Sequence, residues 1–168
     1  VTPDNVNVDN DKVLLWSKDE SKPLEQYAYQ MKHARNFLDR LEAIKEASDN
    51  ENNTIAAGIL KKAMQDSFYV IRARAIQTYN PTLLDEATEN TFVQLANTDP
   101  SSEVREQAID ALSGTYNENY IDLFTSLTKD SSYVVSGAAL DALEKIDSSA
   151  ALSIATKAST QKIKKRLS

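Results

Sequence analysis

Apolar positions between residues 24 and 145 recur at helical spacing, and that pattern is itself repeated. Val104, Ala108, Ile109 and Leu112 are offset by i, i+4, i+5 and i+8, which places them on one face of a helix. The same offsets select Ile71, Ala75, Ile76 and Tyr79, and then Val135, Ala139, Leu140 and Leu143. The aligned alanines Ala43, Ala75, Ala108 and Ala139 are separated by 32, 33 and 31 residues. A period held this closely over four copies specifies a solenoid. A small residue at the centre of the face is expected where a second helix presses close. Another amphipathic stretch precedes each of these helices, over 24–33, 54–65, 83–97 and 120–129, so each copy is a helix pair. The expected architecture is all-α: an α-solenoid (an α-α superhelix) of about four helix pairs, capped by a last helix or helix pair over 148–167.

The joints read as helix ends. Nine residues before the last three alanines stand Asp66, Asp99 and Asp130. In Asp99-Pro100-Ser101-Ser102-Glu103 the expected device is an N-cap aspartate with proline at the first helical position, where its missing N–H costs nothing. Asn80-Pro81 repeats that device, and Asp66-Ser67 and Asp130-Ser131-Ser132 do so without proline. A capping role accounts for these aspartates with no catalytic one. Arg40, Arg72 and Arg105 also share one repeat position, which Ser136 breaks. Such a ladder could form an anion-binding stripe. The expected role is structural, each arginine pairing with a carboxylate or turn carbonyl of the adjoining repeat, because solenoids hold together through neighbour contacts. Glu42 and Glu106 stand nearest as partners.

Residues 1–18 follow a different rhythm. Val6 and Val8 alternate, an Asp9-Asn10-Asp11 cluster follows, and then Val13-Leu14-Leu15-Trp16. Two short apolar runs around an Asp/Asn turn predict a hairpin or paired edge strands, with Trp16 as the anchor. The expected division is residues 1–20 as a hairpin or the closing strands of a preceding domain, and 21–168 as the helical repeat domain. Asp9, Asp11 and Glu20 fit positions 1, 3 and 12 of a calcium loop, but Val13 and Leu14 stand where an oxygen ligand and a glycine are needed. The cluster therefore reads as an acidic turn. The start at Val1 reads as a processed chain or a piece of a longer one.

Composition narrows the chemistry. The 168 residues are 41% hydrophobic and 26% charged, with 3 Gly, 1 His and no Cys. No disulfide framework, zinc finger or thiol nucleophile is available, and His33 alone cannot build a site that needs two histidines. The net charge of −6 opposes nucleic acid as a main partner. No apolar run is long enough to span a membrane. Absence of cysteine fits a soluble, exported bacterial protein without settling the compartment. His33, at the end of the first helix, is placed to interact with the helix dipole. Asp85, Glu86 and Glu89 read as a solvated acidic face. The tail from Lys162 to Leu167 reads as a helix end with cations where the dipole favours them. No catalytic, cofactor-binding or metal residue is assigned to this chain.

The core Asp-x-x-x-x-Val-Arg-x-x-Ala-Ile, complete in Asp99–Ile109 and nearly so in Asp66–Ile76, resembles HEAT repeats. A second resemblance lies at the junction Val6-Asn7-Val8-Asp9-Asn10-Asp11-Lys12-Val13-Leu14-Leu15-Trp16, then Pro23-Leu24-Glu25-Gln26-Tyr27, His33-Ala34 and Leu38-Asp39-Arg40-Leu41-Glu42-Ala43-Ile44. This passage is similar to the one in bacterial M1-family aminopeptidases where the β-sandwich ends and the C-terminal helical domain begins. The resemblance implies a non-catalytic C-terminal domain that shapes or closes a peptide-substrate chamber. Its partners would be the upstream catalytic and β-sandwich domains of the same polypeptide, and the peptide substrate. The family's His-Glu-x-x-His and Gly-x-Met-Glu-Asn motifs are not in this chain, so zinc is expected only in the parent enzyme. The alternative is a free-standing HEAT scaffold for protein–protein interaction.

Overall fold

The structure is a computed structural model that describes residues 22–167. The expected hairpin of residues 1–20, with Trp16 and the Asp9–Glu20 cluster, lies outside the described residues. Among those described the chain is helical: α1 (Leu24–His33), α2 (Phe37–Asp49), α3 (Thr54–Ala63), α4 (Tyr69–Gln77), α5 (Glu86–Thr98), α6 (Ser102–Ser113), α7 (Ile121–Leu127), α8 (Tyr133–Ile146) and α9 (Ser148–Leu167). This is the predicted series of four pairs followed by a last helix.

The chain divides into two compact units, 1–88 and 89–168, with the boundary inside α5. In the first, α1, α2 and α3 pack on one another, and α4 packs on α2 and α3. In the second, α8 is the hub on which α6, α7 and α9 pack. The repeat face reads directly as burial. Ala43, Ala75, Ala108 and Ala139 are all sealed from solvent, as are Ile71, Val104, Leu112, Val135 and Leu143 around them. Each sealed Val, Ile or Leu contributes about 1.5–3 kcal/mol relative to exposure.

Two helix starts differ from the expected positions. Asn80 caps a 3-10 turn, Pro81–Leu83, accepting from the Thr82 N–H. The helix itself begins five residues after Pro81, at Glu86, where Asp85 Oδ1 accepts from the Thr88 N–H at 2.9 Å. A second 3-10 turn, Glu118–Tyr120, capped by Asn117, likewise precedes α7. In both places an Asn caps one tight turn before the chain settles into an α-helix.

Candidate functional site

The most regular polar arrangement is the set of turns before α4, α6 and α8. The N-cap residues Phe68, Ser101 and Ser132 make no side-chain cap bond of their own. Their backbone N–H groups donate instead to Asp66, Asp99 and Asp130, each at 2.8 Å to Oδ1. These aspartates thus close Asx turns two residues ahead of the N-cap. The expected N-cap placement, with Pro100 at the first helical position, is corrected accordingly, since Ser102 begins α6.

The arginines fasten onto those turns. Arg40, Arg72 and Arg105 each donate through Nη1 to the carbonyl six residues earlier: Ala34 at 3.3 Å, Asp66 at 2.8 Å and Asp99 at 2.8 Å. Arg40 and Arg72 add a second carbonyl, Arg35 and Ser67. Arg40 and Arg105 also reach the aspartate of the following turn. Arg40 Nε lies 2.7 Å from Asp66 Oδ2, an ion-pair approach rather than an aligned hydrogen bond. Arg105 Nη2 lies 3.1 Å from Asp130 Oδ1. These side chains are only 7–18% exposed. Screening is therefore weaker than for a surface pair. The carboxylates that Arg40 and Arg105 reach are Asp66 and Asp130, one turn further along the chain than the expected Glu42 and Glu106. Glu42 accepts from Gln30 Nε2 at 2.9 Å. The guanidinium donors thus tie turns to helices.

The remaining candidates are also accounted for by packing. His33 closes α1 and is exposed, its ring tilted against Tyr29 with centroids 4.2 Å apart. Asp85 and Glu89 do not form a free acidic face with Glu86. Asp85 sits ahead of α5, caps it, and pairs with Lys61 Nζ at 2.6 Å. The Lys61 contact and the Thr88 donors hold its carboxyl well below the usual range. Glu89 accepts from the Tyr120 hydroxyl. Burial and that bond push the phenol up.

Three features were not read from sequence. Gln30, buried, donates to Asp39 O and Glu42 Oε2 and accepts from Lys22 Nζ, joining α1 to α2. On α6, burial, Asp110 and Glu103 push Glu106 up. Burial raises Asp110 as well, with Lys145 opposing and Asp141 reinforcing. Finally, a groove of about 360 Å³ runs between α8 and α9. Periodicity signals none of these, since each depends on which residues face one another across helices. Among the described residues no group of three His, Asp or Glu is disposed to hold a metal ion, and no helix is long and apolar enough to cross a membrane.

Paired helices in a fixed period, joined by Asx turns and sealed by an alanine-centred face, define an α-helical repeat protein. HEAT repeats match residues 56–144 and again 89–165, together well over half of the chain. The chain belongs to the HEAT-repeat family. No curated protein matches it.

Proposed function

We propose that the chain is a non-catalytic HEAT-repeat scaffold serving as the C-terminal domain of an M1-like zinc aminopeptidase. There it would wall or close the peptide-substrate chamber. The observation that carries this reading is the junction passage over residues 5–47, followed directly by helix-pair repeats. The polar residues described above serve turns, caps and inter-helix ties, which supports a scaffold. Zinc, the general base and the amine-binding loop would belong to the upstream part of the same polypeptide. A free-standing interaction scaffold is the second reading, favoured by Tyr133, which is 94% exposed at the start of α8 beside the exposed Val134.

The coding sequence upstream of Val1 tests the two. An in-frame His-Glu-x-x-His several hundred residues earlier is the expected result. A start codon within a few codons of Val1 would overturn the aminopeptidase reading in favour of the free-standing scaffold. The purified chain is expected to show neither stoichiometric zinc nor aminopeptidase turnover, and either finding would overturn the non-catalytic assignment.

A further inference from the structure

One turn of the repeat is built against the rule the others follow. The N-cap positions ahead of α2, α6 and α8 hold Asn36, Ser101 and Ser132, but the one ahead of α4 holds Phe68. Phenylalanine has no group to cap a helix start, and here it makes no cap bond. Packing does not account for it either. Its ring meets Phe37 edge-on with centroids 4.9 Å apart, yet Phe68 remains 44% exposed. Leu38, next to Phe37, is 46% exposed, and Val70 holds the same repeat position on α4 and is partly exposed. An apolar patch thus spans the starts of α2 and α4, two helices that pack together in the first unit.

Two cations border this patch. Arg40 and Asp66 bring the Arg35 carbonyl and the Phe68 N–H side by side. Arg74 lies one helical turn beyond Val70, on the same face of α4. Both arginines are exposed, and neither meets a carboxylate among the described residues; Arg74 donates to Gln77 Oε1. The acids around them are engaged already, Asp66 by Arg40, Glu42 by Gln30 and Asp49 by Lys45.

We propose that this patch binds an acidic peptide segment of another protein. An apolar side chain of the peptide lies on Phe68 and Leu38, and its carboxylates meet Arg35 and Arg74. Charge complementarity selects that occupant. In a chain of net charge −6, an apolar patch bordered by unmatched arginines attracts a short acidic segment and turns away a basic one. A long nucleic acid is disfavoured, because beyond the two arginines it would meet the negative remainder of the chain. Aromatic and arginine side chains are also the types enriched where partners bury most surface. This inference goes beyond the aminopeptidase reading and does not depend on it.

The test is fluorescence anisotropy with a short labelled peptide in which Phe-Leu is flanked on both sides by glutamates. The expected dissociation constant is on the order of 100 µM at low salt, rising with ionic strength. The same peptide with lysines in place of glutamates should not bind. Phe68→Ser installs the residue type of the other turns, so helicity should be kept while binding weakens at least about tenfold. Arg35→Glu and Arg74→Glu, at exposed positions, should each weaken binding at least about fivefold. Tyr133→Ser, exposed in the other unit, should leave it unchanged. No binding with the chain at about 1 mM would overturn the proposal. So would equal binding of the lysine peptide, undiminished binding by both Phe68→Ser and Arg74→Glu, or tighter binding of a single-stranded oligonucleotide than of the acidic peptide.

Discussion

The aspartate of the repeat performs two tasks with one carboxylate, and substitution separates them. Asp130 Oδ1 accepts from the Ser132 N–H and also receives Arg105 Nη2. Asp130→Ala removes both and is expected to cost about 2 kcal/mol in urea denaturation. Asp130→Asn keeps an oxygen for the N–H while discarding the charge, and should cost about half as much. Equal losses for the two variants would show that the turn bond contributes nothing. Tyr116 offers the opposite sign. Its φ of 53° lies in the left-handed region, where a side chain is strained, and it is well exposed. Tyr116→Gly is expected to stabilise the fold by up to about 1 kcal/mol, read as a higher urea midpoint. Asp110 adds a pH signature. Burial holds its carboxyl above the ordinary value, so the folded state binds this proton more tightly than the unfolded chain. Its charge therefore opposes folding at neutral pH, and that opposition fades as pH falls through the raised pKa toward the ordinary one. Asp110→Asn should stabilise at pH 7, with the gain vanishing below pH of about 4, the ordinary aspartate value.

Elements that follow from a period were legible, and those set by facing partners were not. The alanine spacing fixed the α2, α4, α6 and α8 faces because burial on one face imposes its own rhythm on sequence. The aspartates were recognisable as helix-start residues but were placed at the N-cap, since an Asx turn and an N-cap draw on the same residue types. Glu42 and Glu106 were poor partners for arginine on helix geometry alone. Neighbours one or two residues apart do not face each other, whereas the aspartates 25 and 26 residues away do. The α8–α9 groove left no mark in the sequence, because Leu140, which lines it, reads as an ordinary face residue. Two helix-interior glycines were also silent. A Cβ added at Gly58 in α3 or Gly137 in α8 meets nothing within 4 Å. Gly58→Ala and Gly137→Ala should each raise stability by about 0.5–1 kcal/mol, through helix propensity alone. Thermal unfolding of each variant checks this, and a fall in either melting temperature would reveal a contact that needs the bare backbone.

At the scale of the whole chain, stability is shared among neighbours rather than gathered in one centre. In a repeat protein each copy contributes its own term plus that of its interfaces. Amide hydrogen exchange of Asp130→Ala is therefore expected to lose protection in α6 and α8 while α1 and α2 remain at wild-type protection. Uniform loss along the chain would instead mark a single cooperative block.

The direction of the arginine–aspartate tie bears on how the chain is made. The arginine comes first and its aspartate follows 26 or 25 residues later. During synthesis each guanidinium therefore leaves the ribosome before the carboxylate it pairs with, so the newest repeat is always the least secured. Its turn carbonyls, six residues upstream, are already present and can hold the side chain in the interval. The growing chain can thus set each repeat in its local form first, and fasten it to its successor only when that successor arrives.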